Sequence, residues 1–215
     1  MTQPTEPGSK LLLREMRSLS FSKEQIQESL KNNGVLKLRG IIQRADAKNQ
    51  NGRIYPREIL ANAIESYMKL VRERRAHGEL DHDDQPVVNL KNISHIITDI
   101  EMQENGDVIG EIEVLNTPMG NIAKALIEAQ VTVGISSRAL GSVYSNGDAD
   151  VVEDDLHFIC WDLVSEPSTQ QAFMFKEAKV IAPGVVNKII SRDERVSKLA
   201  SDILNLDKKL RRGPQ

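Results

Sequence analysis

Apolar positions in the first third of the chain follow patterns that predict helices around one strand. Residues 11–33 have a helical pattern, in which Ser22 and Gln25 have the spacing of a capping box. The apolar residues of 35–42 are typical of a strand. Pro56 then begins a predicted long helix that reaches about Arg75, with apolar residues three to four positions apart.

The second half of the chain predicts two pairs of strands. Residues 93–102 and 108–115 alternate around Asn105-Gly106, which is a strong signal for a hairpin turn. Residues 132–143 and 151–164 form a second predicted pair, which a turn with Asn146-Gly147 separates. The chain therefore predicts the α+β class, with a mostly antiparallel β-barrel or closed sheet surrounded by helices.

The same patterns divide the chain into three parts. Residues 1–34 are predicted to be an N-terminal extension, first disordered and then helical, and residues 35–180 to be one catalytic domain. Residues 181–215 are predicted to be a linker and an amphipathic helix from Ser191 to Arg212. The apolar stripe of that helix fits packing on its own domain or docking, for example in a homo-oligomer, and both interpretations stay open.

Composition narrows the class of function. The 215 residues include 28 basic and 31 acidic side chains, a net charge of -3, which favours protein partners over nucleic acid or membrane surfaces. The single cysteine, Cys160, excludes an intramolecular disulfide and thiolate zinc clusters, and fits a small buried apolar position in a reducing cytoplasm. No apolar run approaches the roughly 20 residues of a membrane span, and no signal peptide is recognised, so we expect a soluble, unexported protein without cofactors.

Among the four histidines, His82 stands out by its setting. It follows Gly78, Glu79, Leu80 and Asp81 in a connection between the long helix and the next strands. Such connections commonly carry functional side chains. Acidic neighbours would favour a protonated imidazole, so His82 is the candidate general base.

A pair of serines in the strand after residue 131 supplies the candidate nucleophile. Period-two alternation puts Ser136 on one face with Gly134 and Arg138, and Ser137 on the face of the apolar residues. Ser136 is therefore predicted on the accessible side, with room and a cation nearby. From composition alone, a small polar pair in an edge strand stays open.

These segments carry a resemblance to a known family. Gly78-Glu79-Leu80-Asp81-His82 resembles the Gly-Glu-Leu-x-His box of the prohead core serine proteases of tailed bacteriophages, and Gly134-Ile135-Ser136-Ser137-Arg138 resembles their Gly-Val-Ser-Ser-Arg-Gly box. Asn51-Gly52-Arg53-Ile54-Tyr55-Pro56 is similar to a family segment ahead of the long helix. Ala139 and Asp83 depart from the family, which has glycine and proline there.

The resemblance implies a fold and two catalytic roles. The family is related to the herpesvirus assemblin proteases, so a similar β-barrel with surrounding helices is expected. It implies His82 as general base and Ser136 as nucleophile of an endopeptidase. Arg138, and Gly134 beside it, are candidates for oxyanion stabilisation or substrate binding, while a surface salt bridge stays open for Arg138.

The third catalytic member is a choice between several residues. Asp162 lies in an otherwise apolar strand that resembles a family stretch, and an unpaired carboxylate there would be costly. We therefore favour Asp162 over His157, with Glu79 and Asp81 as further alternatives. A structural salt bridge stays open for Asp162.

The resemblance also implies a biological setting. It implies an inactive precursor that enters the prohead core in the host cytoplasm, is activated after assembly, and cleaves scaffold, core and capsid proteins and itself. Relatives prefer a substrate glutamate before the cut, so Leu13-Arg14-Glu15 and Ile26-Gln27-Glu28 are candidate self-processing sites. One or both tails, residues 11–33 and 191–212, are predicted to inhibit the enzyme or to tether it to partners.

Two functions of other classes stay open. The first is a metal-dependent hydrolase that uses His77, His82 and the neighbouring Asp81, Asp83 and Asp84, although their spacing lacks the one-face pattern of helical zinc motifs. The second is a non-enzymatic capsid or scaffold component that has kept the protease fold.

Overall fold

The structure is a computed structural model that describes residues 9–19, 21–31, 34–82, 85–165 and 178–191. Its helices are α1 (Lys23–Lys31), α2 (Arg57–Arg72) and α3 (Pro118–Glu128), with a short 3-10 helix at Leu90–Asn92, and residues 183–191 are also helical. The strands are β1 (Lys10–Leu19), β2 (Lys37–Arg44), β3 (Arg53–Ile54), β4 (His77–Glu79), β5 (Ile93–Met102), β6 (Asp107–Val114), β7 (Val133–Gly141), β8 (Val143–Ser145), β9 (Asp150–Val152), β10 (His157–Ser165) and β11 (Ala178–Ile181). Within these ranges, no helix is long and apolar enough to cross a bilayer.

The strands form three sheets. One four-stranded sheet has the order β10-β7-β1-β11, a second has the order β2-β6-β5-β4, and a three-stranded sheet has the order β3-β9-β8. A single bridge between Leu80 and Leu163 connects the chain after β4 to β10. The predicted mixture of helices and mostly antiparallel strands is confirmed. The closed barrel is not: in the described part of the chain the ladders remain separate sheets, because β4 meets β10 through one bridge only. The likeness to the herpesvirus proteases stays a prediction.

Strand β1 corrects the helix predicted for residues 11–33. Residues 10–19 pair with β7 on one side and with β11 on the other, so β1 lies inside the sheet and not in an appendage. Leu11, Leu12 and Leu13 are all buried, because Leu11 and Leu13 pack in the main core and Leu12 packs on the other face of β1 in a second apolar cluster. Such a continuous apolar run cannot be distinguished from a helix by periodicity. The domain boundary predicted after residue 34 would therefore separate β1 from the other strands of its sheet.

The helix and capping box predicted after Ser22 are confirmed, whereas residues 1–8 of the predicted disordered start lie outside the described residues. Helix α1 begins directly after Ser22, whose N–H donates to Gln25 Oε1 at 2.8 Å while Gln25 N–H donates to Ser22 Oγ at 3.2 Å. This reciprocal pair is the predicted capping box. The hairpin of β5 and β6 is likewise confirmed, with Gly106 at a φ of +88° in its turn.

Only part of the C-terminal predictions concerns residues that the structure describes. Strand β11 is absent from the predictions, and residues 183–191 are helical where a linker is predicted. Proline is well tolerated in the first turn of a helix, where its missing N–H costs nothing. The predicted terminal helix lies outside the described residues beyond Ser191.

A core between α2 and the sheets fixes the orientation of β10. Trp161 is fully buried, with its ring stacked on Phe158 at a centroid distance of 4.3 Å and edge-on to Tyr67 of α2 at 4.8 Å. Because successive strand residues point to opposite faces, this packing turns the next side chain, Asp162, to the other side of the sheet.

A buried carboxylate attaches β1 to the segment ahead of α2. Glu15 is 3% exposed and accepts hydrogen bonds from Arg53 Nη1 at 2.6 Å and from the Tyr55 hydroxyl at 3.0 Å. Asn51 Nδ2 donates to its other oxygen at 2.8 Å. Burial raises the pKa of Tyr55 well above its ordinary value, so the hydroxyl remains a donor. The segment Asn51–Pro56 that resembles the family therefore has a structural role.

Strand β4 requires a residue without a side chain at Gly78. A Cβ at this position would collide with the Trp161 carbonyl oxygen and with the ring of His95. His95 is itself buried, and its Nε2 lies 3.1 Å from the same carbonyl oxygen. The close approach of β4 to β10 places the segment after Gly78 beside Asp162.

We predict that Glu15→Gln lowers the free energy of unfolding by about 3 kcal/mol, because the Arg53 guanidinium would remain buried without its counter-charge. Urea denaturation measures this difference. The matched control is Glu101→Gln, which removes an ion pair with Arg39 whose side chains are 58% and 50% exposed. Equal losses in the two variants would contradict a special role for the buried pair.

We also predict that Gly78→Ala lowers the Tm by about 5 °C or more, since overpacking in a core typically costs about 1–3 kcal/mol. Gly184→Ala is the control, because a Cβ there meets nothing within 4 Å. A Gly78→Ala variant that melts like the wild type would show that β4 is free to move away from β10.

Candidate active site

Strands β7 and β10 place three candidate residues side by side. In the antiparallel register, Ser136 lies opposite Asp162, and Ser137 lies opposite Trp161. Residues opposite each other share a face of the sheet, so Ser136 and Asp162 lie on one face and Ser137 on the face of the aromatic core. The predicted division between the two serines is therefore present in the structure.

The surface around Ser136 differs from the prediction in one respect. Ser136 is 1% exposed, and every residue of β7 is buried, so neither face of this strand is open to solvent. The reason is that both faces of β7 are covered by packed side chains: Ile135 and Ala139 pack in the main core, and Leu140 packs on the other face in a second apolar cluster. His82 is the more accessible partner, with 16% of its side chain exposed.

Gly134 lies on the face of Ser136, as predicted. A Cβ at this position would lie 3.2 Å from both the Arg17 carbonyl oxygen and Val164 Cγ2, and 3.3 Å from Met16 Cγ. These neighbours give Gly134 a packing reason for its small size. Its predicted contribution to substrate binding stays a prediction.

A turn after β4 brings His82 to the sheet. Asp81 has a φ of +69°, its N–H donates to the Leu163 carbonyl at 2.7 Å, and its carboxylate accepts from the His82 N–H at 2.9 Å. An aspartate tolerates this left-handed conformation better than most residues. Asp81 therefore shapes the turn and is not the partner of the imidazole ring.

The His82 ring connects Asp162 to Ser136. Its Nδ1 lies 2.9 Å from Asp162 Oδ2, and its Nε2 lies 2.8 Å from Ser136 Oγ. An ionised carboxylate only accepts, so Nδ1 carries the proton and Nε2 is left to accept the hydroxyl proton of Ser136. This geometry has a nucleophile, a base and a group that orients the base, which is what acyl transfer by a serine requires.

Asp162 is fully buried and surrounded by donors. Arg138 Nε donates to Oδ2 at 2.6 Å and Nη2 to Oδ1 at 3.2 Å, while the Glu79 backbone N–H donates to Oδ1 at 2.9 Å. Burial alone would raise the pKa of Asp162. The hydrogen bond from His82 and the charge of Arg138 outweigh burial and hold this pKa below its ordinary value, so the carboxylate stays ionised.

Arg138 has a different position from the one predicted. It is 0% exposed, and besides Asp162 it contacts Glu79 Oε2 at 3.2 Å and the Gln85 carbonyl oxygen at 2.8 Å. A surface salt bridge is therefore wrong. Its guanidinium is directed at the carboxylates of Asp162 and Glu79, and its contribution to oxyanion stabilisation stays a prediction. The reason for its buried position is that an unpaired Asp162 would be costly, and Arg138 is the cation that pairs with it.

The rival third members lie elsewhere. His157 is the first residue of β10 and lies opposite Leu140, while His82 binds Asp162. Glu79 donates its backbone N–H to Asp162, but its side chain forms an ion pair with Arg138 and accepts a hydrogen bond from the Asn89 N–H. Of the residues weighed from the sequence, Asp162 is the one that contacts the His82 ring.

Two further side chains around Asp162 were not identified from the sequence. The Cys160 thiol donates to Asp162 Oδ1 at 3.3 Å, and burial raises its pKa well above the ordinary value, so the thiol stays neutral. His95 contacts the Ser94 hydroxyl and the Trp161 carbonyl, and burial lowers its pKa to about 4. Cys160 shares a face of β10 with Asp162 because it precedes it by two residues, whereas His95 comes from β5 and has no signature in the local pattern around Asp162.

The metal alternative finds no support in the part of the chain that is described. Within it, no group of three or more His, Cys, Asp or Glu side chains is arranged to hold a metal ion. Both ring nitrogens of His82 bind Ser136 and Asp162 instead. Asp83 and Asp84 lie outside the described residues.

This chain is similar to a bacteriophage T4 protease both in sequence and in structure. The prohead core protein protease of enterobacteria phage T4 is 36% identical over 111 residues, which is 50% of this chain and 52% of that protein. The match thus spans about half of the relative's length. The solved structure of the capsid assembly protease of bacteriophage T4 superposes with a TM-score of 0.62 at 26% identity, covering 74% of this chain and 99% of that chain.

The sequence also matches a family model over most of its length. Residues 6–182 match the family described as prohead core protein serine protease. The match includes β1, both strands of the candidate site and the segment that carries His82. The chain therefore belongs to the prohead core protein serine protease family.

Proposed function

We propose that this protein is a serine endopeptidase in which Ser136 is the nucleophile, His82 the general base and Asp162 the residue that orients His82. The observation that carries the proposal is the pair of hydrogen bonds on the His82 ring, 2.8 Å to Ser136 Oγ and 2.9 Å to Asp162 Oδ2. Membership of the protease family supports the same reaction class.

The proposed reaction proceeds through an acyl-enzyme. His82 Nε2 takes the hydroxyl proton as Ser136 Oγ attacks the scissile carbonyl carbon, and the resulting imidazolium is stabilised by Asp162. The C–N bond then breaks as His82 returns the proton to the leaving amine. A water molecule, deprotonated by the same imidazole, hydrolyses the acyl-enzyme and restores the serine. Arg138 has a positioning role here, because its two donors hold both oxygens of Asp162.

The proposed substrates are scaffold, core and capsid proteins inside the phage prohead. The support is the family and the descriptions of the T4 matches, a prohead core protein protease and a capsid assembly protease. We propose that the protein acts in the prohead core within the host cytoplasm, and that it is made as an inactive precursor.

The two candidate self-processing sites differ in accessibility. Glu15 is buried inside β1, so a cut after it would divide a central strand and release the partners of its carboxylate. Glu28 is exposed on α1. Self-cleavage after Glu28 is therefore the hypothesis we retain, and N-terminal sequencing of the mature protein would test it.

The two tails differ in how well a deletion can test their proposed role in inhibition or tethering. Removal of residues 11–33 would delete β1, and with it the strand that pairs with β7 beside Ser136. Inhibition or tethering by a tail is better tested by deletion of residues 192–215, most of which belong to the predicted terminal helix.

Two other functions make different predictions. A non-enzymatic capsid component would leave prohead proteins uncut by wild type and variant alike. A metal-dependent hydrolase would lose activity in chelator and keep it after treatment with a serine-directed phosphonate. The contact between His82 and Ser136 favours the serine mechanism over both.

We predict that Ser136→Ala lowers kcat/KM about 10,000-fold or more, because the acyl-enzyme can no longer form. Ser137→Ala is the matched control: this neighbour has an equally buried hydroxyl, 1% exposed, that lies on the other face of β7. The measurement is incubation of each enzyme with scaffold and capsid proteins, followed by mass spectrometry of all new termini. Normal processing by Ser136→Ala, or its loss in Ser137→Ala with a native fold, would contradict the proposal.

A further inference from the structure

Three charged side chains are buried together behind the candidate catalytic residues. Glu79, Arg138 and Asp162 are each 0% exposed. Arg138 lies between the two carboxylates, with Nη2 at 3.2 Å from Glu79 Oε2 and Nε at 2.6 Å from Asp162 Oδ2. We call these three residues the buried charge cluster.

The positive charge in this cluster opposes the stabilisation of a protonated His82, the proposed general base. An imidazolium on His82 is stabilised by a negative charge on Asp162. Arg138 alone would cancel that charge, because it lies in direct contact with the same carboxylate, and charges interact strongly where water is excluded. A pair of Asp162 and Arg138 is formally neutral and would offer little to a positive His82.

Glu79 restores the missing negative charge. With both carboxylates ionised, the cluster has two negative charges and one positive charge, a net charge of -1. The Glu79 carboxylate accepts a hydrogen bond from the Asn89 N–H at Oε1, its Oε2 lies 3.2 Å from Arg138 Nη2 in an ion pair, and both contacts favour its ionised form. Burial acts in the opposite direction and is the larger effect, so the pKa of Glu79 is raised. The contacts with Arg138 and the Asn89 N–H are the geometric reason to treat Glu79 as ionised, and its raised pKa makes its negative charge sensitive to acid.

We propose that Glu79 is a positioning residue that offsets the charge of Arg138, so that Asp162 retains a net negative charge toward His82 when the imidazole becomes protonated. The inference rests on the proposed function and extends it to a residue that does not touch the reacting atoms. It gives the glutamate of the segment Gly78–His82 a role separate from that of its backbone N–H.

The other titratable groups around the cluster do not supply this charge. Cys160, on β10, is held as a neutral thiol because burial raises its pKa. His95, on β5, is neutral near pH 7, since burial lowers its pKa to about 4. Asp81 lies beside His82 but is exposed, and its carboxylate accepts from the His82 backbone N–H. Within the described residues, Glu79 is therefore the buried carboxylate that remains to balance Arg138.

The test compares the wild type, Glu79→Gln and the double variant Glu79→Gln/Arg138→Gln. The net charge of the cluster is -1 in the wild type, 0 in the single variant and -1 again in the double variant. The readout is the pH dependence of kcat/KM for a peptide substrate, measured from about pH 5 to pH 9 and thus across the range in which a histidine base loses activity in acid.

We predict that Glu79→Gln moves the acid limb of this profile to lower pH by about one unit, because a positive His82 becomes less favourable when one nearby charge is removed. The plateau of kcat should fall about tenfold, since a weaker base takes the serine proton less readily. In the double variant the acid limb should return toward the wild-type position, although Asp162 has lost its two side-chain donors from Arg138.

A purely structural role of Glu79 gives a different result. The single variant would then lose activity without a shift of the acid limb, and the double variant would be further impaired, because a second buried contact has been removed. Either observation would overturn the inference. Glu15→Gln is the matched control, since it also removes a buried, Arg-paired carboxylate, but on the opposite face of β7. Its acid limb should coincide with that of the wild type.

The same experiment separates this inference from the proposed function. If Ser136→Ala remains active, the proposed function is wrong whatever Glu79 does. If Ser136→Ala is inactive and the acid limb of Glu79→Gln is unchanged, the serine mechanism stands and the role of Glu79 is wrong. Circular dichroism and Tm measurements identify any variant that is not folded, and the shift is read from folded protein only.

Discussion

The constraint on which the candidate site depends is the buried carboxylate of Asp162. An ionised group with no exposure to water is costly unless donors surround it. Apart from the Cys160 thiol on its own strand, its donors are Arg138 on β7, the Glu79 N–H on β4 and the His82 ring in the turn that follows. The satisfaction of one carboxylate thus holds these strands and the imidazole in a single arrangement. Removing any one donor would leave part of a buried charge unpaired.

The same arrangement explains why a glycine precedes Glu79 and why a large aromatic residue precedes Asp162. Gly78 is required because β4 must approach the Trp161 carbonyl closely enough for the Glu79 N–H to reach Asp162. Trp161 packs on the opposite face against Tyr67 and Phe158, which turns Asp162 toward His82. A second buried carboxylate, Glu15, attaches β1 to the segment before α2 and so supports β7 from its other side. Two buried carboxylates, one on each face of the sheet, organise the region around Ser136.

The sequence was sufficient to predict the elements that depend on local pattern. Alternation separated Ser136 from Ser137, and the cost of an unpaired carboxylate in an apolar strand identified Asp162, which the structure places against His82. The local pattern gave wrong or incomplete predictions where packing against other strands determines the structure. A strand buried on both faces has no alternation, so β1 was predicted as a helix. The cation that pairs with Asp162 could not be predicted either, because strand register, and not sequence spacing, brings Arg138 and Glu79 to it.

We propose that Asp162 orients His82 so that Ser136 becomes nucleophilic. The rate at which a serine-directed reagent labels the protein covalently tests this role most directly. The measurement is the second-order rate of reaction with a serine-directed fluorophosphonate in the wild type and in Asp162→Asn, with the modified residue identified by mass spectrometry. We predict that the fluorophosphonate labels Ser136. The labelling rate should be about a thousandfold lower or more in Asp162→Asn, because an amide would favour the wrong imidazole tautomer. Labelling of another residue, or equal rates in the two folded proteins, would contradict it.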